Sequence, residues 1–72
     1  MNLTHAIEGK EYIIKNVDTL DEELDAFLFS LGCYSGEPIT VISRKKKTCI
    51  ISIKDSRYCI DTFLASTIQI FE

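Results

Sequence analysis

Two rhythms of apolar residues run along this chain, and the change from one to the other divides it. Tyr12-Ile13-Ile14-Lys15-Asn16-Val17 is rich in β-formers and follows Gly9, so it predicts a first strand. Gly9 would supply the tight turn that admits the chain to that strand. Leu3, Ala6 and Ile7 stand ahead of the turn and are expected to cover one end of a core. Between residues 20 and 31 the rhythm becomes helical. Leu20, Leu24, Phe27, Leu28 and Leu31 fall at spacings of four, three, one and three, which draws a single apolar stripe. Thr19, followed three residues later by Glu22, has the form of a capping box. Asp21, Glu22 and Glu23 put negative charge on the first turn, where the helix dipole favours it. Gly32 stands where a left-handed C-terminal cap is wanted.

After Gly32 the period returns to two. Tyr34-Ser35-Gly36-Glu37-Pro38 reads as a turn, with Gly36 free to take positive φ and Pro38 able to open a strand. Ile39-Thr40-Val41-Ile42-Ser43 runs into a basic tip, and Thr48 to Lys54 returns from it as a hairpin. Ile39 and Val41 then share one face, as do Cys49, Ile51 and Ile53 on the mate. Asp55-Ser56 predicts a second tight turn into Arg57-Tyr58-Cys59-Ile60. A short helical turn from Asp61 to Ser66 and a last strand, Thr67 to Phe71, complete the chain. About five short strands with one helix inserted after the first predict a mainly β domain. The expected form is a small, strongly bent barrel that closes on itself and hides its edges.

Length limits what such a barrel can do. Seventy-two residues make one domain with little room for a deep cleft beside its core. Eight Lys and Arg against eleven Asp and Glu give a net charge of −3, without the basic footprint that phosphate binding demands. No apolar run approaches the roughly 20 residues that cross a bilayer, and Met1 to His5 lacks the pattern of a signal peptide. A cytoplasmic domain is the resulting expectation, with no insertion into the membrane.

Catalytic and metal chemistry find little footing. His5 is the only histidine and is expected in a mobile N-terminal segment. Gly9, Gly32 and Gly36 are too scattered for a phosphate loop. Cys33, Cys49 and Cys59 are an odd number without zinc-ribbon spacing, and they read as small hydrophobes. Cys49 falls in step with the core face of its strand, whereas Cys59 is out of step with Tyr58 and Ile60 and so more accessible. Neither a cofactor nor a metal site is expected.

The segment Leu28-Phe29-Ser30-Leu31-Gly32-Cys33-Tyr34-Ser35-Gly36-Glu37-Pro38-Ile39-Thr40-Val41 resembles the signature of FeoA-domain proteins. In that family a leucine helix ends in Leu-Gly, and a short step leads to a second Gly and an alternating strand. Gly9 with Tyr12-Ile13-Ile14 resembles the opening turn and strand. Arg57 to Asp61, Leu64-Ala65 and Ile68-Gln69-Ile70 resemble the closing segment. One departure is Ser35, where the family often has Pro, which implies a less rigid turn. The resemblance implies an SH3-like barrel that binds and modulates FeoB, the ferrous iron transporter, by protein–protein interaction. The alternative it carries is a stand-alone sensor domain like the one fused to DtxR-type iron-dependent repressors, with or without a metal.

Helix geometry nominates a docking face. At 100° per residue Phe29 projects about 180° from the centre of the Leu20–Leu24–Phe27–Leu31 stripe. Such a residue is either covered by another segment or offered to a partner. Tyr34, in the turn just after, can join it in one patch. The candidate contact residues are Phe29, Leu31, Gly32, Tyr34 and Gly36. The tip residues Arg44, Lys45 and Lys46, with Lys47, form either a solvated turn or an electrostatic contact. Weak self-association stays open.

Overall fold

The computed structural model describes residues 1–72. Strand β1 (Glu11–Val17) is followed by helix α1 (Glu22–Leu31), strands β2 (Pro38–Arg44), β3 (Thr48–Ile53) and β4 (Ser56–Asp61), helix α2 (Thr62–Thr67) and strand β5 (Ile68–Ile70). A 3-10 helix, Leu3–His5, precedes them. All strand pairs are antiparallel, in the spatial order β4-β3-β2-β1-β5.

The alternation read from the sequence sets the register. Ile39 and Val41 of β2 and Cys49, Ile51 and Ile53 of β3 all point inward and are buried. Register shifts between Ile14 and Asn16 of β1, and between Val41 and Ser43 of β2, insert an extra residue that bends each strand. The bends curl five strands around one core of sixteen buried residues.

The sheet does not close by strand pairing, contrary to the expectation of a barrel without edges. β4 and β5 are its free ends. Instead, α2 packs against β3, β4, β5 and the 3-10 helix, which fills the gap between the ends. The outer edge of β5 is met by the N-terminus, where Ile70 N–H donates to the Met1 carbonyl at 2.8 Å and Asn2 bridges Gln69. That contact corrects the view of a mobile N-terminal segment. Asn2 caps the 3-10 helix, and Leu3 and Ala6 are fully buried. Ile7, expected beside them, is exposed.

Helix α1 begins later than the sequence suggested. Asp21, not Thr19, is the N-cap: its carboxylate accepts from Glu23 N–H at 2.9 Å and from Leu24 N–H at 3.3 Å. Leu20 therefore lies outside the helix and is fully exposed. Phe27 is also exposed, and Leu28 alone is buried, with Leu24 and Leu31 packed partly beside it. The apolar stripe is narrower than predicted, so α1 rests on the barrel by one leucine row.

Candidate docking site

The site is built from the way α1 ends. Gly32 takes φ +103°, its N–H donates to the Phe29 carbonyl at 3.0 Å, and Cys33 N–H donates to the Leu28 carbonyl at 2.9 Å. This pair of bonds is a Schellman motif, which reverses the chain within one residue. Cys33 is driven inward and buried, and Tyr34 turns back outward beneath the helix. The Phe29 and Tyr34 rings then meet with centroids 4.9 Å apart and planes inclined by 39°.

The next turn is stapled to β1. Gly36 N–H donates to the Ile14 carbonyl at 2.8 Å, and Ile14 N–H donates to the Glu37 carbonyl at 2.9 Å. Glu37 is thereby fixed beside the β3–β4 turn. That turn has two residues, Lys54 and Asp55, at φ +49° and +63°. It presents the Lys54 stem across Gly32, where an added Cβ would stand 2.8 Å from Lys54 Cδ. The Lys54 ammonium reaches a point 5.1 Å from the centre of the Tyr34 ring and 3.3 Å from Glu37 Oε2. Contact with Tyr34 first and Glu37 second holds its pKa above the usual lysine value. Phe29, Tyr34, Lys54 and Glu37 thus form one ordered row of ring, ring, cation and anion.

Beside the row opens a shallow groove of about 470 Å³ between α1 and the end of β1. Val17, Ala26, Phe29, Cys33 and Tyr34 give it apolar walls, and Asn16, Asp25 and Ser35 a polar rim. Burial pushes the Cys33 thiol up to about 11, so it stays protonated and unreactive at neutral pH. Phe29 is 63% exposed, with the Tyr34 ring as its aromatic partner. An exposed aromatic pair beside an apolar groove, with one fixed charge of each sign, suits recognition of a protein surface.

The nominated residues fall into two groups. Phe29, Leu31, Gly32, Tyr34 and Gly36 gather at one end of β2, with Gly32 buried, Leu31 half-buried and Gly36 shaping the turn. Arg44, Lys45 and Lys46 lie at the far end of that strand, about 20 Å away for seven residues. Arg44 is not a free charge. Its guanidinium donates to the Ala6 carbonyl at 2.7 Å and its backbone N–H to Glu8 Oε2 at 2.6 Å, tying the N-terminal arm to the hairpin. Lys45, Lys46 and Lys47 are exposed. Lys54 and Glu37 were missed from the sequence, because only the fold brings β3 over the end of α1.

No three His, Cys, Asp or Glu side chains stand close enough together to hold a metal ion. No helix is long and apolar enough to cross a membrane.

The family model of the FeoA domain matches residues 1–71, and the chain belongs to that family. Solved structures of similar fold include an iron uptake regulatory protein, FeoA, with a TM-score of 0.87 and 24% identity over 97% of this chain and 93% of that one. The zinc complex of Stenotrophomonas maltophilia FeoA, described as an SH3 domain protein, gives 0.88 and 14% over 99% of this chain and 89% of that one. A manganese-dependent transcriptional repressor gives 0.88 and 14% over 97% of this chain but only 40% of its own length. No curated protein sequence matches the chain.

Proposed function

We propose that this FeoA domain is a cytoplasmic accessory of ferrous iron uptake that binds FeoB and modulates it by protein–protein interaction. Family membership supports the transport system, and the exposed Phe29–Tyr34 pair supports docking as the mode of action. Aromatic side chains beside an apolar groove are the usual anchors of an interface. The neighbouring Lys54–Glu37 pair adds a polar border that orients a partner. To tune transport, the domain must bind one state of FeoB better than another, since equal affinity shifts no equilibrium.

Calorimetric titration of the purified cytoplasmic domain of FeoB, with and without guanine nucleotide, tests this reading. Binding should be measurable and should differ between the two nucleotide conditions. Phe29→Ala and Tyr34→Ala should each weaken it about tenfold or more, as anchor residues do, while circular dichroism stays unchanged. Full binding by both variants would reject the docking face.

A second reading rests on the likeness to the manganese-dependent repressor. The domain would then act as a stand-alone sensor through another partner or a metal. Undiminished action in cells that lack FeoB would favour it, as would tight one-to-one binding of ferrous iron.

A further inference from the structure

Away from the docking face, Leu20 and Phe63 make a second apolar surface. Leu20 is fully exposed and Phe63 is 63% exposed. With Leu24 they line an open groove of about 790 Å³ whose other walls are Thr19 and the acidic Asp21, Glu22 and Glu23. The start of α2 joins this groove to the hairpin tip, because Thr62 N–H donates to the Lys47 carbonyl at 3.0 Å. Phe63 therefore lies between the acidic first turn of α1, which walls the groove, and the exposed lysine tip, which meets the start of α2 through the Lys47 carbonyl. Asp61, the N-cap of α2, leaves that tip side net basic against three lysines. Neither border is neutralised within the chain, whose one ion pair is Lys54–Glu37.

An apolar centre with opposite charges on its borders is complementary to itself after a half-turn. We infer that this patch binds a second copy of the chain about a two-fold axis. Leu20 and Phe63 of the two copies pack together, and the acidic border of each meets the lysine tip of the other. A second copy is the occupant because the patch carries both halves of its own complement. The whole chain exposes 4528 Å², so a standard interface of about 800 Å² per partner would take near a fifth of it. The groove is lined by seven residues, fewer than the roughly 20–30 a side of a standard interface, so the dimer is weak and salt-sensitive.

Sedimentation equilibrium of the full chain tests the inference from about 10 µM to about 1 mM, the span suited to a small interface. The mass should rise from monomer toward dimer, and added salt should reverse part of the rise. Leu20→Ser and Phe63→Ser should each raise the dimer dissociation constant about tenfold. Both residues are exposed, so circular dichroism and Tm should hold. Glu22→Lys with Glu23→Lys makes both borders basic, and Lys45→Glu with Lys46→Glu makes both acidic. Each doubly reversed protein should be monomeric alone, and an equimolar mixture should recover the dimer. A monomer across the whole range overturns the inference, as does a dimer indifferent to Leu20→Ser and Phe63→Ser. It is also overturned if wild type stays monomeric while those variants lose FeoB binding, which would assign the patch to the transporter.

Discussion

The Lys54 ammonium lies 5.1 Å from the centre of the Tyr34 ring while pairing with Glu37 at 3.3 Å. Two turns far apart in the chain are joined by this contact, and it stiffens the border of the aromatic pair. Its strength depends on the lysine being charged. Tyr34 first and Glu37 second raise the Lys54 pKa above its ordinary 10.5. A raised lysine contributes stability that is fully present below pH 10.5 and lost as pH climbs through the higher folded value. Above pH 10.5, thermal melts should therefore show a steeper fall in Tm for wild type than for Lys54→Met. Equal alkaline slopes in the two proteins would show that the contact stores no charge energy.

Gly32 has two reasons to be glycine. Its φ of +103° disfavours any side chain, and a Cβ would press to 2.8 Å from Lys54 Cδ. Gly32→Ala should destabilise the fold by about 1–2 kcal/mol from backbone strain alone, measured by urea unfolding. Displacing the lysine stem should add a smaller cost. A double-mutant cycle with Lys54→Ala separates the two, because only the steric part should vanish in that background.

Much of the barrel was legible in the period-two alternation, since Ile39, Val41, Cys49, Ile51 and Ile53 can face only one way together. The Leu31-Gly32 stop was legible too, because a left-handed cap has few chemical solutions. The helix stripe was read too broadly. Spacing identifies which apolar residues share an arc, but not which part of the arc meets the sheet, so Leu20 and Phe27 share the stripe yet stay exposed. Asp21 outcompeted Thr19 as the cap, with Thr19 left to accept from Asp21 N–H at 3.2 Å. The Lys54-Asp55 turn was placed one residue late, because it puts two non-glycine residues at positive φ where sequence rules look for Asn-Gly. Phe29 and Tyr34 were legible as a pair from helix geometry, whereas their neighbours Lys54 and Glu37 meet only through tertiary contact.

Leu28 is the one buried anchor of α1, and its loss should separate helix from barrel. Leu28→Ala should cost about 2–4 kcal/mol, a large share of the stability of so small a domain. Phe27→Ala, on the neighbouring exposed position, should cost well under about 1 kcal/mol. Hydrogen exchange should show α1 opening before β2 and β3 in Leu28→Ala, and both together in Phe27→Ala. If the two substitutions prove equally damaging, α1 is held by a broader stripe than the leucine row.

The three thiols should part company in reactivity. Cys59 is exposed, whereas Cys33 and Cys49 are buried. Ellman's reagent at neutral pH should modify Cys59 alone in the folded protein and all three after denaturation. Burial raises the Cys49 pKa, with Arg44 opposing and Cys59 adding to the rise, and it pushes Cys33 up to about 11 from 9.0. Between those two values the unfolded chain ionises at Cys33 while the folded chain keeps the proton. The unfolded state thus binds fewer protons, and stability falls as pH rises from 9 toward 11. Cys33→Ala removes its share of the ionisation and should make that part of the curve shallower, with the remaining slope due to Cys49, at a modest cost in packing at neutral pH. Because Lys54 acts above pH 10.5, the interval from 9 to 10.5 reports the two buried cysteines, and the difference between wild type and Cys33→Ala there belongs to Cys33. Equal slopes for wild type and Cys33→Ala across that interval would mean that the Cys33 thiol ionises as easily in the fold as outside it.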